Sequence, residues 1–245
     1  MRIAFISDIH GSQFALESVL SDIENRKVDK VICLGDIATL GSQPKKTIEI
    51  LQAIEADFVL GNNDEAIIDY QKANRSNIPK ELIPSLEWTI SRIGTNEIDF
   101  IKTFKNEIDL HINNNTNILC YHGSPKSNID KVLYTTTEKN LDKMFQNKLA
   151  SIYVGGHVHI QMKRYYKESL MINPGSVGFA FKQFPMPGKD PNLQTWAEYA
   201  ILDVYKKVTI IEMYQVEFDI QRTIKSYENS DNPMKELYLK HIGIK

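Results

Sequence analysis

Residues 2–11 read RIAFISDIHG, a short apolar run that is followed at once by an acid, a histidine and a glycine. Residues 2–7 have the composition of a buried strand of a parallel sheet. The polar residues directly after this strand, Asp8 and His10, belong to the types that bind metals. Ligands of open α/β sheets bind at the carboxyl ends of the strands, so this stretch predicts a strand that delivers two candidate metal ligands.

Four later apolar runs also end in polar residues that lie beside a glycine. Those residues are Asp36 after residues 30–34, Asn62 after 57–60, His122 after 117–121, and His157 with His159 after 150–154. Five strand ends of this kind are expected to converge on one cleft. Imidazole and carboxylate groups together suit Zn, Fe, Mn or Ni, so the pattern predicts a metal site.

Two pairs of candidate ligands are separated by two residues. Asp8 and His10 form one pair, and His157 and His159 form the other. In extended backbone, residues i and i+2 point the same way, so each pair is expected to face one site together. Each candidate also has an ordinary structural role when taken alone, such as a helix cap, a turn residue or a core histidine. The combination favours the metal site.

The order of the predicted elements indicates the fold class. Strands at residues 2–7, 30–34 and 57–60 alternate with helical stripes at 13–26 and 44–54, which implies parallel strands joined by crossover helices. A helical insertion is predicted at about residues 65–105, and C-terminal helices at about 219–241. We therefore predict one domain over residues 1–245, with a parallel-rich N-terminal sheet and a more antiparallel C-terminal sheet.

Composition limits the classes of partner. The chain has 245 residues, of which 42% are hydrophobic, and this is enough for one large domain or two small ones. A formal net charge of -2 gives no basic surface for a long nucleic acid, although a short or end-bound one stays open. No stretch is apolar enough to span a bilayer or to act as a signal peptide, so a cytoplasmic protein without a membrane partner is expected. Cys33 and Cys120 lie in apolar runs and are expected to be buried thiols.

The candidate ligands also match the motif series of a known family. The series is Asp8-x-His10, Gly35-Asp36, Gly61-Asn62-x-Asp64, His122-Gly123 and Gly156-His157-x-His159. In order and spacing it resembles the calcineurin-like metallophosphoesterase superfamily over roughly residues 1–180, and Asn173-Pro174-Gly175-Ser176 resembles its small bacterial and archaeal phosphodiesterase branch. The resemblance implies an α/β fold, a four-layer α-β-β-α sandwich of two mixed sheets flanked by helices.

The resemblance further implies how the ligands divide. Asp8, His10 and His159 would hold the first metal, Asn62, His122 and His157 the second, and Asp36 would bridge the two. Two divalent ions are expected, with Mn first and Fe, Zn or Ni as alternatives. They would share a hydroxide for in-line attack on phosphorus. Asp36 and Asn62 are then the candidate catalytic residues, and Asn62, Asn63 and His122 are the candidate substrate contacts.

One position departs from the family pattern. Many members carry, after the motif asparagine, a histidine that the following acid orients and that protonates the leaving group. This chain has Asn63 there, and an amide cannot act as a general acid at neutral pH. Asp64 is then expected to cap the next helix instead. The departure favours substrates with good leaving groups over simple alkyl phosphates.

The leading hypothesis is a binuclear phosphodiesterase acting on a small phosphoester or nucleotide. The alternatives are a phosphomonoesterase (a protein or nucleotide phosphatase), a metal-binding scaffold of low activity, and a nuclease of the same superfamily. Lys126 and the aromatic loop at 178–184 are candidate substrate contacts, and their ordinary roles are a solvated charge and part of the core. The sequence does not indicate an oligomeric state.

Overall fold

The computed structural model describes residues 1–72, 76–146, 148–185, 192–205 and 208–242 of the chain. In this part of the chain, five strands from its two ends form the first sheet, in the order β10-β9-β1-β2-β3. They are β1 (Arg2–Ile6), β2 (Lys30–Cys33), β3 (Ala56–Phe58), β9 (Trp196–Tyr205) and β10 (Val208–Glu217). Strand β1 pairs with β2 and β2 with β3 in parallel, whereas β9 is antiparallel to both β1 and β10.

The second sheet comes from the middle of the chain. Its described strands, in the order β4-β5-β6-β8-β7, are β4 (Glu107–Asn113), β5 (Thr116–Tyr121), β6 (Ile152–Val154), β7 (Gln161–Tyr166) and β8 (Ser169–Pro174). The inner strands β5, β6 and β8 are parallel, and the edge strands β4 and β7 are antiparallel to their neighbours. Both sheets are therefore mixed, as the family resemblance implies.

The prediction of a parallel-rich N-terminal sheet and a more antiparallel C-terminal sheet is wrong. The C-terminal hairpin β9–β10 does not join the later strands but returns to β1, where Ala200 lies opposite Phe5. Each sheet consequently has two parallel and two antiparallel junctions among the described residues. The error arose because a strand's own composition does not say which distant strand it will pair with.

Alternation along the strands separates two layers of core. In β1, Ile3 and Phe5 lie in the apolar core between the two sheets, whereas Ala4 and Ile6 lie in the core under the outer helices. Successive residues of a strand point to opposite faces, which explains this division. Strand β5 alternates in the same way between the core shared by the two sheets and the core on the outer side of the second sheet. The four-layer sandwich is thereby confirmed.

Helices cover the outer faces of both sheets. The described helices are α1 (Gln13–Asn25), α2 (Pro44–Gln52), α3 (Asn62–Ile68), α4 (Ile83–Arg92), α5 (Thr95–Ile101), α6 (Glu138–Phe145), α7 (Ile220–Glu228) and α8 (Lys235–His241). The longest has 13 residues, and no helix in the described ranges combines the length and hydropathy that crossing a membrane requires. Cys33 and Cys120 are buried free thiols, as predicted.

The helical insertion contains α3, α4 and α5. Its residues 73–75 lie outside the described ranges. Ile67, Leu86 and Ile101 belong to the same apolar core as the buried faces of α1 and α2, and α4 and α5 contact α2 directly. The insertion thus packs on the outer side of the first sheet. That the whole chain folds as one domain stays a prediction.

Candidate metal centre

The seven predicted ligands all lie just beyond the carboxyl ends of strands. Strands β1, β2 and β3 are neighbours in the first sheet, and β5 and β6 are neighbours in the second, so their carboxyl ends meet along one edge of the sandwich. The segments that follow carry Asp8, His10, Asp36, Asn62 (the first residue of α3), His122, His157 and His159. The structure brings these side chains together in two adjacent clusters.

The first cluster contains Asp8, His10 and His159. His159 Nε2 lies 3.2 Å from Asp8 Oδ1 and 3.1 Å from His10 Nε2, and the His10 nitrogen is 3.8 Å from the same carboxylate oxygen. All three side chains are buried, and each offers one ligand atom within 4.8 Å of the others. This spacing suits a divalent cation bound by one carboxylate and two imidazoles.

The second cluster contains Asp36, His122 and His157, with Asn62 beside them. His122 Nε2 lies 3.5 Å from Asp36 Oδ2 and 3.2 Å from Asn62 Oδ1. The rings of His122 and His157 meet edge to face, with their centroids 5.1 Å apart. The Asn62 amide nitrogen donates to Ser76 O at 3.0 Å, which turns the carbonyl oxygen of the same side chain towards His122.

The carboxylate of Asp36 lies between the clusters. Its Oδ2 atom is 3.5 Å from His122 Nε2 and 3.9 Å from His10 Nε2, so a single oxygen approaches one histidine of each cluster. The side chain is 1% exposed, which excludes water from most of its surroundings. A carboxylate placed in this way can be shared by two cations.

Five of the seven predicted ligands have left-handed backbone. The φ angles are 52° at Asp8, 49° at His10, 57° at Asp36, 69° at His157 and 56° at His159. Residues other than glycine seldom adopt this region, and such strain concentrates at functional sites. The expectation that the two-residue pairs are extended is therefore wrong, because both pairs lie in tight turns after their strands. Asp8 and His10 still share a cluster, whereas His157 and His159 divide between the two.

Contacts at Nδ1, the ring nitrogen that faces away from the clusters, orient three of the imidazole rings. His122 Nδ1 donates to Leu34 O at 2.7 Å, and His159 Nδ1 donates to Phe179 O at 2.8 Å. His10 Nδ1 lies 3.1 Å from Thr39 Oγ1. A donated Nδ1 proton leaves Nε2 with its lone pair towards the centre, which is the tautomer that a metal requires.

Ser7 orients the Asp8 carboxylate. The Ser7 hydroxyl donates to Asp8 Oδ2 at 2.6 Å, and the His157 backbone N–H donates to the same oxygen at 2.9 Å. The other oxygen, Oδ1, is buried and faces the Nε2 atoms of His10 and His159, and the His157 Nε2 atom is buried without a hydrogen-bond partner among the described residues. Buried polar atoms are nearly always paired, so both atoms are suitably placed to bind a cation.

Asn63 and Asp64 take different roles in the first turn of α3. Asn63 donates twice to Asp36, from its backbone N–H to Oδ1 at 2.9 Å and from its side-chain amide to Oδ2 at 2.6 Å. Asp64 accepts from Gly61 N at 3.1 Å and thereby caps α3, as predicted. It also accepts from the backbone N–H groups of Asp36 and Ile37, at 2.7 and 3.0 Å.

Burial and charge set the protonation of the four histidines. Burial lowers the pKa of His10 to about 4 and that of His157 to about 3. Burial also opposes the charged form of His122, but neighbouring Asp36 raises its pKa to about 10. For His159, Asp8 likewise outweighs burial and raises the pKa above the ordinary value. Without cations, a proton on His122 therefore balances the charge of Asp36, and Asp8 favours the protonated form of His159.

The two clustered carboxylates stay ionised. Burial alone would raise the pKa of Asp8, but His159 outweighs it and lowers the value to about 2. Burial opposes ionisation of Asp36 too, and His122 brings its pKa well below the ordinary range. Asp64 differs, because burial raises its pKa to about 7. The two carboxylates in ligand positions are thus in the charged form that binds cations.

Several supporting residues were missed by the sequence prediction. Ser7 and Thr39 touch ligands through hydroxyl groups, and short hydroxyl residues in loops carry no distinctive signal. Asn173 donates to Gly156 O at 2.7 Å, and Ser176 donates to Asp8 O at 2.7 Å. Both residues belong to the segment Asn173-Pro174-Gly175-Ser176, whose hydrogen bonds hold the backbone of the two segments that carry Asp8 and His157.

The aromatic loop at 178–184 lies against the first cluster. Phe181 stacks on His159, with centroids 4.9 Å apart and planes 11° from parallel. Phe179 is buried and meets His10 edge to face, with centroids 5.6 Å apart. Phe184 lies near the Lys131 ammonium, 5.2 Å from its ring centroid. Phe179 and Phe181 thus pack against candidate ligands, whereas contact with a substrate stays a prediction.

A groove of about 560 Å³ opens beside His122. Its lining is mostly polar and includes Glu65, Ser124, Lys126, Asn128 and Lys148. Lys148 pairs with Glu107, whereas Lys126 is exposed and has no ion pair among the described residues. The Lys126 backbone N–H donates to Ser124 Oγ at 3.1 Å, so the turn that carries this lysine is fixed.

Comparison with known proteins agrees with this geometry. A family model described as the calcineurin-like phosphoesterase superfamily domain matches residues 1–206. A protein of Methanocaldococcus jannaschii that is described as uncharacterized is 31% identical over 241 residues, which cover 92% of this chain and 90% of that protein.

Solved structures share the fold. A metallophosphoesterase of Sphaerobacter thermophilus is 22% identical and superposes with a TM-score of 0.73, covering 97% of this chain and 99% of its own. A hypothetical protein of Pyrococcus horikoshii is 20% identical, with a TM-score of 0.76 and coverage of 96% and 97%. At these identities the likeness concerns the architecture.

Proposed function

The chain belongs to the calcineurin-like phosphoesterase superfamily and is a phosphoester hydrolase, and from this premise we propose a binuclear metal-dependent phosphodiesterase that acts on small phosphoesters or nucleotides. The observation that carries the binuclear part is the position of Asp36 Oδ2, within 4 Å of His10 Nε2 and of His122 Nε2. One shared carboxylate between two clusters supports two cations rather than one.

The clusters support a division of the ligands between the two cations. Asp8, His10 and His159 would hold the first, Asn62, His122 and His157 the second, and Asp36 both. When bound, two such cations supply a nucleophile from water near neutral pH and stabilise charge on the transferring phosphoryl group. The imidazole and carboxylate set, without thiolate, is compatible with Mn, Fe, Zn or Ni, of which we propose Mn first.

The proposed preference for substrates with good leaving groups rests on Asn63. Its amide is committed to Asp36 and cannot transfer a proton to a leaving group at neutral pH. Positioned acid catalysis is typically worth a factor of about 10²–10⁴, and a substrate with a poor leaving group would lose that factor here. Asn63 instead holds the shared carboxylate in place.

The groove beside His122 supports a small and polar substrate. Because His122 contributes to both the second cluster and the groove wall, a phosphoryl group at the centre would place its second substituent in the groove. Lys126 supports an anionic or hydrogen-bonding substituent there, and a net charge of -2 does not favour a long nucleic acid. The cytoplasmic location expected from the sequence stays a prediction.

The test is hydrolysis of bis-p-nitrophenyl phosphate with added Mn²⁺ by the wild type and by Asp36→Ala. We expect the variant to lose at least about a hundredfold in rate, the scale on which losing one electrostatic stabiliser of a transition state is felt. Asp99→Ala, which removes an exposed carboxylate on α5, should keep the wild-type rate. Equal rates for the wild type and Asp36→Ala would overturn the proposal. A higher rate on p-nitrophenyl phosphate than on the diester would favour the phosphomonoesterase instead.

A further inference from the structure

Two helices that follow the family match contact the loops of the first cluster. The match ends at residue 206, and α7 and α8 with their connector (residues 220–241, the C-terminal cap) come after it. We propose that the C-terminal cap positions His10 and so sets the affinity of the first metal position. This inference rests on the proposed function, because it assumes that the two clusters bind cations.

The first contact runs through Asn232, in the connector between the two helices. Its side chain is 3% exposed, and its amide nitrogen donates to Gly41 O at 2.8 Å and to Leu40 O at 3.2 Å. Its Oδ1 atom accepts from Met234 N at 2.7 Å. The Tyr227 hydroxyl donates to Leu40 O as well, at 3.3 Å. The cap is therefore hydrogen-bonded to the backbone of the loop that follows β2.

That loop is strained and lies directly on the His10 backbone. Leu40 has a φ of 70°, a conformation that costs a side-chain-bearing residue free energy unless the surroundings enforce it. A Cβ on Gly41 would come within 2.0 Å of His10 O, so only glycine allows this approach. Thr39 Oγ1, just before Leu40, lies 3.1 Å from His10 Nδ1. Asn232 thus holds the loop whose hydroxyl orients the His10 ring.

The second contact runs through Phe179. The Phe179 ring meets His10 edge to face on one side and Tyr238 of α8 on the other, with both centroid distances 5.6 Å. Phe179, Tyr227, Met234 and Tyr238 form one buried apolar cluster. His10 is therefore supported by Thr39 and by Phe179, and the cap contacts the segments that carry both.

The second cluster has different supports. The His122 ring is fixed by Leu34 O, and the Asp36 carboxylate by Asn63. Among the described residues, Asn232 makes its hydrogen bonds outside those groups. Loosening the cap should therefore weaken one metal position and spare the other, whereas general destabilisation of the fold would affect both.

The experiment measures Mn²⁺ binding to the full chain by equilibrium dialysis, followed by elemental analysis, for the wild type and Asn232→Ala. The wild type is expected to bind two ions. In the variant, one of the two should bind at least about tenfold more weakly, as expected when a group that orients a metal ligand is lost. Asp231→Ala is the matched control, because the Asp231 carboxylate contacts Trp88 and Arg92 on α4, and it should bind both ions normally.

Two further variants keep the test decisive. Adding Leu40→Gly to Asn232→Ala should recover part of the lost affinity, because glycine adopts the left-handed φ without support. If Asn232→Ala does not fold, Tyr238→Leu removes the ring contact to Phe179 and keeps the cap apolar, and the same selective loss is expected. Unchanged binding, or equal loss at both positions, would overturn the inference alone. A wild type that binds no divalent ion would overturn the proposed function together with it.

Discussion

The side-chain amide of Asn63 donates to Asp36 Oδ2 at 2.6 Å, in the position where many family members carry a histidine. The backbone N–H of the same residue donates to Asp36 Oδ1 at 2.9 Å. Both oxygens of the shared carboxylate are thereby held by one neighbour. An amide in place of the imidazole removes a proton donor. It also adds a hydrogen bond to Asp36, the residue that we propose to bridge the two cations.

Replacing Asn63 by histidine should restore the missing acid. We expect Asn63→His to raise the turnover of a phosphodiester with an alkyl leaving group by at least about tenfold. This gain is smaller than a positioned acid usually gives, because Asp64 is engaged with backbone N–H groups and is not free to orient the new imidazole. The rate on bis-p-nitrophenyl phosphate, whose leaving group needs no proton, should change little. Steady-state kinetics on both esters checks this.

Asn63→Ala is the control for that comparison, because it removes the side-chain hydrogen bond to Asp36 without supplying an acid. A gain by Asn63→Ala equal to that of Asn63→His would contradict the role given to the imidazole. An equal gain of Asn63→His on both esters would contradict that role as well.

At the scale of single residues, the sequence was sufficient to select side chains that the structure brings together in two clusters, and insufficient for what holds them. Four of the seven candidate ligands are histidines, which are scarce in this chain, and all seven follow strands. Ser7 and Thr39 are common loop residues whose importance comes only from the contacts of their hydroxyl groups. The left-handed backbone at Asp8 and His10 was missed because such φ values are expected of glycine and not of a histidine.

The first turn of α3 shows how one element depends on another. Asp64 caps α3 through Gly61 N, and its carboxylate also accepts from the backbone of Asp36 and Ile37 in the loop after β2. The sequence predicted the cap, because the pattern is local. It did not predict the link between α3 and the loop after β2, because Asp36 and Asp64 are separated by a helix and a strand.

Asp64→Asn should therefore destabilise more than a helix cap alone would. An asparagine offers one acceptor oxygen where three backbone N–H groups now bind, and the buried donors left unpaired cost about 1–3 kcal/mol each. We expect the free energy of unfolding to fall by about 2–4 kcal/mol, measured by urea denaturation of the metal-free protein.

The comparison for that prediction is at the other end of the same helix. Asp69→Asn changes a carboxylate that accepts from Gln71 N at an exposed position, and it should shift the free energy of unfolding by less than about 0.5 kcal/mol. If both variants unfold at the same urea concentration, Asp64 does no more than cap its helix.

Strand positions were predicted well and strand partners were not. The predicted strands agree with the observed ones to within a few residues, because apolar runs bounded by polar residues are a local signal. Assignment of β9 and β10 to a sheet failed, because β9 pairs with β1 from the opposite end of the chain. Only the packing of the whole molecule decides that pairing.

For the molecule as a whole, the buried centre must balance its charge with or without cations. In the metal-free protein Asp36 favours a proton on His122 and Asp8 favours one on His159, because each carboxylate raises the pKa of its histidine against the effect of burial. These protons stabilise the fold fully below the ordinary histidine pKa of 6.5, and the contribution of His122 is lost as the pH rises towards 10. Metal binding should displace them.

We therefore expect metal loading to release protons. His10 and His157 have lowered pKa values and are already neutral at pH 7, so the release should come mainly from His122, with a further contribution from His159, and amount to about one proton per chain or more. The combined affinity for both ions should then rise with pH, by up to about a hundredfold per unit. Calorimetric titration with Mn²⁺ in two buffers of different ionisation enthalpy measures the release. Binding enthalpies that are the same in both buffers would contradict this charge balance.

The strand order of the first sheet has a consequence for how the protein is made. Strand β1 (Arg2–Ile6) is synthesised long before its partner on one side, β9 (Trp196–Tyr205). At about 5–20 residues per second, the ribosome leaves that edge of β1 unpaired for roughly ten to forty seconds. An open strand edge is a template for pairing with other chains. All seven candidate ligands precede β9 in the sequence, so they are translated while that edge of β1 is still unpaired, and we expect this interval of synthesis to favour aggregation.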